Sequence, residues 1–402
     1  MTSSKPPEPP DLPAPWHTAE RQALRDRVRA FAREEVLPLA NRLDPEKGLI
    51  PAELLERMAE LGLFGIMIDP EHGGLGLGTF EYCMVAEELA RAWMSVASII
   101  ARAQGLGTGL ADDARRDELL RRSAAGHWVG AIALAEPDAG SDLAGVSTRA
   151  ERDGDGWVIS GRKRWCGNAE AADFIQVLVR VRDPEPDEPR SAGLETLLVE
   201  KERGSFPDGI TGTPIDKIGY HGFLTWDLVF DRVRVPAGNV VTTGGSDASG
   251  FDGVGDWLDV ARVHTAARAV GLAQAAVEDC TAYLQEREQF GHPIGDFQAL
   301  RFALADMTSE TEQARAFYRQ AAHLVDVGDP HATQTAAMAK LRATETAVVV
   351  TGQAMQLHGG NGYTTERAVE RYWRDARLTT IFEGTSEIQR KIISDELLPR
   401  PS

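Results

Sequence analysis

The chain has 402 residues and a net charge of −18, which excludes the basic footprint of a nucleic-acid-binding protein and disfavours contact with anionic membranes. With 43% hydrophobic and 26% charged residues it has the composition of a soluble globular protein, long enough for two or three domains. Cys83, Cys166 and Cys280 are scattered and odd in number, so no disulfide framework or metal site is expected and a reducing cytoplasm fits.

Residues 1–15 are proline-rich without an apolar run, as in a disordered tail. Thr18 can cap a helix bearing Leu24, Val28 and Phe31, with Pro38 as its stop. Pro51 suits a first helical position ahead of Leu54, Leu55, Met58 and Leu61. Gly73 to Gly78 lack the Lys-Ser/Thr pair of a phosphate loop and read as a connection, after which Thr79 can cap another helix. The pattern changes near Trp128. Ile175, Val177, Val179 and Val181 alternate with Gln176, Leu178 and Arg180, and Trp226, Leu228 and Phe230 with Thr225, Asp227 and Val229, both strand periods. Gly156 to Ala169 fits a hairpin turning at Ser160-Gly161. From Gly255 helical spacing returns: Val270, Ala273, Val277, Cys280 and Leu284 share a face that delivers Arg287 to the helix end, and 296–325 and 333–355 read as further helices.

Near the C-terminus Glu383 stands alone between Phe382 and Gly384. An apolar neighbour suits a carboxylate base, and Gly384 admits unusual backbone angles. Ser386 and Gln389 have capping-box spacing, so a helix is expected to start there. Taken alone this is equally a loop before a capped helix. Likewise, Ala133 to Asp142 taken alone is a strand-ending turn, Trp165 a core aromatic, and Gln356 to Tyr363 a helix C-cap.

In combination and in order, five motifs resemble the acyl-CoA dehydrogenase family from about Thr18 to Leu398. They are Ala135-Glu-Pro-x-Ala-Gly-Ser-Asp142, Gly161-x-Lys-x-Trp165 with Asn168, Arg287-x-Gln-Phe-Gly291, Gln356-x-x-Gly-Gly-x-Gly-Tyr363 and Phe382-Glu-Gly-Thr-Ser386. The resemblance implies an α+β fold: an N-terminal α-helical domain, a middle antiparallel β-barrel-like domain and a C-terminal four-helix bundle. The expected division is a tail over 1–15, then 16–128, 129–243 and 244–402. It implies FAD, acting in a homotetramer built as a dimer of dimers. By resemblance Glu383 is the base that takes the α-proton of an acyl-CoA thioester while flavin accepts the β-hydride. Ile132, Leu134, Ala135, Ser141, Trp165, Cys166 and Gly167 would lie against the flavin, with Thr385 and Glu387 beside the base. Arg287, Gln289, Phe290, Phe297, Gln298, Gln356, Gly359 and Gly360 would hold FAD from a neighbouring subunit. Ser141, Asp259, Arg262, Phe382 and Gly384 would meet the substrate.

The base position used by some family branches corresponds to Ala261, which cannot take a proton. Where the family usually has threonine, this chain has Ala135 and Gly167. Both lose hydroxyl donors near the flavin, and Gly167 is expected to open space and speed reaction with oxygen. Arg91 falls near the arginine that holds a second carboxylate in glutaryl-CoA dehydrogenases, although arginine is common there. An acyl carrier protein thioester as substrate, and electron-transfer flavoprotein or oxygen as acceptor, both remain open. A non-catalytic binding protein on this scaffold is disfavoured by the intact Glu383.

Overall fold

The computed structural model describes residues 12–241 and 254–398, so most of the expected tail and the Gly/Ser-rich exit from the β region lie outside the described residues. Leu12, expected in the tail, is instead buried and donates its N–H to Gln22 Oε1 at 3.2 Å. Thr18 caps α1 (Ala19–Phe31), accepting from the Arg21 N–H. A π-turn (Ala32–Val36) carries the chain into α2 (Leu37–Leu43), so Pro38 does not stop the helix. It occupies a first-turn position where its missing N–H costs little. α3 (Ala52–Glu60) begins one residue beyond Pro51. The glycine loop leads to α4 (Thr79–Ala92), whose N-cap is Gly78. The Asp326 carboxylate, far along the chain, accepts from the Thr79 and Phe80 amides at 2.6 and 2.9 Å. α5 (Met94–Ile99) and α6 (Asp113–Ala124) complete the first helical layer.

Seven strands follow: β1 (Gly130–Ala133), β2 (Arg149–Asp153), β3 (Gly156–Gly167), β4 (Phe174–Arg180), β5 (Leu194–Glu200), β6 (Ile210–Pro214) and β7 (Thr225–Pro236). They form a sheet of order β1-β4-β2-β3-β7-β6, with β5 also on β4. Pairing is mostly antiparallel, but β1 runs parallel to β4. The hairpin expected around Ser160-Gly161 is absent. Gly156 to Gly167 is one strand against β7, with irregularities at 159/161 and 163/166. A Cβ on Gly161 would stand 2.5 Å from Thr148 Oγ1, so the glycine serves a bulge against its neighbour.

The chain ends in α7 (Val254–Glu286), a short ribbon of β8 (Glu288–Gln289) and β9 (His292–Pro293), α8 (Gln298–Asp326), α9 (Ala332–His358), α10 (Val369–Thr379) and α11 (Ser386–Leu397). α7 is apolar on most of its circumference because it packs against both α9 and α4. Gly271 permits the second contact, since a Cβ there would meet Glu87 O at 2.4 Å. One core therefore joins the first and last helical layers, and the sheet has its own.

Candidate active site

Glu383 lies in the turn between α10 and α11 with φ 53°, followed by Gly384 at 86°. A left-handed non-glycine residue is costly unless its surroundings hold it. Here two buried side chains do so: Lys340 Nζ and Gln389 Nε2 donate to Gly384 O at 2.6 and 3.0 Å. Burial pushes the Lys340 ammonium down to about 8, against the pull of Glu383. The expected cap is displaced by one residue: Thr385, not Ser386, accepts from the Ile388 N–H. Gln389 is thereby free to brace the turn.

The Glu383 carboxylate is not simply set among apolar groups. Arg268 Nη2 donates to its two oxygens at 3.0 and 2.8 Å, and the Thr265 hydroxyl donates to it and accepts from Arg268 at 2.8 Å. Arg268 is 1% exposed, donates from Nη1 to Ser98 Oγ at 2.7 Å, and lies 4.9 Å from the Phe382 ring centroid. Burial opposes its charge, but Glu383 raises its pKa overall. Ala261, Thr265 and Arg268 are four and three residues apart on α7, so one helical face presents all three. Polar residues at that spacing on an otherwise apolar helix were the available sequence signal for Arg268.

Glu383 opens onto a cavity of about 300 Å³ that also receives Tyr82, Arg102, His264 and Arg268. Ile132 and Leu134 reach the same cavity from β1 and the residue after it. Lys163 explains why they are held there: its buried Nζ donates to Leu134 O at 2.8 Å and to Glu136 Oε1 at 2.9 Å. Glu136 also accepts from the Ser147 and Thr148 amides. Burial works against the Glu136 charge, yet these donors hold it down at about 2. The Glu and Lys of the first two motifs are therefore a structural tie between strands.

Trp165 is 56% exposed with φ 67°, so its ring is not a core residue. Ser141 is exposed and Ala135 half-buried nearby in sequence. Cys166 departs from expectation: its side chain is inside the sheet core, where burial pushes the thiol up to about 12. The open space expected at Gly167 is also absent. A Cβ there would meet Phe223 at 3.0 Å and Arg102 Nη2 at 3.2 Å.

A second cluster forms at the far end of α7 and α9. Tyr283 stacks on His358 with centroids 4.2 Å apart, bringing Arg287, Gln289 and Phe290 to the same end as Gln356, Gly359 and Gly360. Phe290 is 89% exposed, 5.9 Å from the Phe297 centroid, and Gln298 is exposed. The Arg287 side chain is exposed and makes no ion pair among the described residues. None of these residues lines the Glu383 cavity. Asp259 is tied to Arg262 and, at 2.5 Å, to Thr333 Oγ1, on the helical turn that brings Val260 and Ala261 to the cavity. Thr385 is half-buried as the cap of α11, and Glu387 is exposed beside it. Arg91 is held by Glu88 at 2.7 Å and Glu278 at 2.6 Å and does not reach the cavity.

Comparison with known proteins agrees with this layout. "Acyl-CoA dehydrogenase, N-terminal domain" matches residues 18–127, the middle domain 131–233 and the C-terminal domain 248–398. The probable acyl-CoA dehydrogenase YngJ of Bacillus subtilis is 40% identical over 386 residues, spanning 95% of this chain and 98% of that protein. Butyryl-CoA dehydrogenase from Megasphaera elsdenii superposes with a TM-score of 0.85 at 32% identity, covering 95% of this chain and 99% of that one. An acyl-CoA dehydrogenase from Geobacillus kaustophilus gives 0.87 at 30% identity, covering 96% and 100%. Among the described residues no helix is long and apolar enough to cross a membrane.

Proposed function

We propose, from the premise that this chain belongs to the acyl-CoA dehydrogenase family, that it oxidises the Cα–Cβ bond of an acyl-CoA with Glu383 as the base. The observation that carries this is the Glu383 turn: a residue of left-handed backbone braced from behind by Lys340 and Gln389, with its carboxylate on the wall of the cavity. The family is FAD-dependent, and the residues present fit that cofactor. The exposed Trp165 ring suits a flat ring system, and Arg287, which makes no ion pair among the described residues, offers a fork of donors to a diphosphate. When bound, FAD supplies the acceptor for the β-hydride.

Glu383 takes the α-proton. The Glu383 N–H has no acceptor among the described residues, leaving it to stabilise charge developing on the thioester oxygen. The helix turn of Val260 and Ala261 lines the cavity around the reacting carbons, and Phe382 packs against Tyr220 and Arg268 behind Glu383. The separation of the Arg287 cluster from the Glu383 cavity supports a homo-oligomer in which one subunit completes its neighbour's cofactor site. Filling of the space at Gly167 by Phe223 and Arg102 favours a protein acceptor such as electron-transfer flavoprotein over oxygen. Anaerobic titration of the yellow protein with saturated acyl-CoAs tests the reading. Bleaching is expected, and Glu383→Gln should slow it by about 10²–10⁴-fold with FAD still bound. Undiminished bleaching in that variant would place the base elsewhere.

A further inference from the structure

We propose that the chamber takes a thioester whose acyl group itself carries a carboxylate, anchored by Arg102. This rests on the reading of the cavity as an acyl-thioester site. Arg102 ends the short helical turn Ile100–Arg102 and lines the same cavity as Glu383. It is half-buried, and its buried Nε has no hydrogen-bond partner among the described residues. Its guanidinium has no ion pair among them either. A partly buried guanidinium with no counter-charge beside it is open to an anion that arrives with the ligand.

No acid on the wall supplies that anion. Glu383 is the carboxylate among the described lining residues, and Arg268 and Thr265 already engage it. His264 is neutral, because burial and then the Arg268 and Arg102 charges drive its pKa well below the ordinary value. Its Nε2 has no hydrogen-bond partner among the described residues. The chamber therefore holds two guanidinium groups against one carboxylate, an excess of one positive charge. Arg102 also takes the room that Gly167 leaves: its Nη2 lies 3.2 Å, and Phe223 3.0 Å, from where a Cβ would stand. A planar fork placed in this way suits a carboxylate better than an uncharged chain end. The oxidation is otherwise the proposed one: the α-proton goes to Glu383 and the β-hydride to FAD, and the distal carboxylate is unchanged.

The test uses the FAD-loaded protein under anaerobic conditions. Succinyl-, glutaryl- and adipyl-CoA are titrated beside their methyl half-esters and beside butyryl-CoA. The expected result is that one acid binds at least about 10-fold tighter than its ester, the size of one charge-assisted hydrogen bond. In Arg102→Met that ratio should fall to about 1, and Arg102→Lys should restore part of it. Equal affinity of acid and ester in the wild type would overturn the proposal. So would an unchanged ratio in Arg102→Met, including one accompanied by weaker FAD binding, which would assign the arginine to the cofactor. Bleaching by butyryl-CoA without any gain from a carboxylate sinks this inference alone. No bleaching by any thioester sinks the dehydrogenase reading itself.

Discussion

Arg268 Nη2 donates to both oxygens of Glu383, at 3.0 and 2.8 Å, from a side chain that is 1% exposed. The carboxylate end is wetter, at 25% exposed, so the pair lies at the edge of the core with its cation inside. Removing either partner should cost more than removing both, because a single change strands the other group. Arg268→Met and Glu383→Gln are each expected to lower the melting temperature. The double variant should lose less than the sum, with a coupling of about 1–3 kcal/mol. Strict additivity in thermal denaturation would show that the two charges do not depend on each other.

A comparable dependence joins Lys163 to Glu136, 2.9 Å apart and almost wholly buried. Glu136, held at about 2, contributes stability that is present above the ordinary carboxylate value of 4.5 and lost as pH falls toward 2. Lys163→Met should destabilise the protein by about 3–5 kcal/mol near neutral pH. It should also loosen FAD, because Lys163 holds Leu134 O at the cavity wall. Denaturant melts and flavin content measure the two effects. Loss of stability with full flavin retention would separate the tie from the cofactor site.

Gly167 supplies a steric test. A threonine there would push its Cβ against Phe223 at 3.0 Å and Arg102 at 3.2 Å, closer than ordinary contact. Phe223 is packed in the core, so the flexible guanidinium is the group expected to yield. Gly167→Thr should cost about 1–3 kcal/mol. Arg102→Ala added to it should recover part of that loss. If the double variant melts lower than Gly167→Thr alone, the two residues do not compete for one space.

Much of the fold was legible because it follows from local periods: 3.6-residue stripes before Trp128 and after Gly255, and alternation at Ile175 and Trp226. The turn at Phe382-Glu383-Gly384 was legible from its glycine and lone acid. What was not legible depends on partners distant in the chain. Asp326 caps α4 across 247 positions, so Thr79 alone could not reveal the cap. Lys340 braces the Glu383 turn from 44 positions away. Ser160-Gly161 looks like a hairpin turn in isolation and becomes a bulge once β7 is available to pair. Arg102 and Gly167 have meaning only together, since a glycine in sequence says nothing about what occupies the room it leaves.

Asp375 adds a pH dependence of known sign. It is fully buried on α10, accepts the Tyr220 N–H through Oδ1 at 2.6 Å, and leaves Oδ2 without a partner among the described residues. Burial, and then the nearby Asp44 carboxylate, push it up to about 7 from 3.8, against the pull of Arg374. Between those two values the folded protein keeps a proton that the unfolded chain has released. Stability therefore falls as pH rises through the window, and the cost is complete above about 7. Asparagine keeps the acceptor for Tyr220, which lines the Glu383 cavity, and removes the charge. Asp375→Asn should thus gain more over wild type at pH 8 than at pH 5. The difference is about 3 kcal/mol, because about two pH units of the window lie between pH 5 and 7 and each is worth about 1.4 kcal/mol. Urea melts of both proteins at the two pH values measure it. Equal gains at both would mean that Asp375 is ionised throughout and that its unpartnered oxygen is satisfied in some other way.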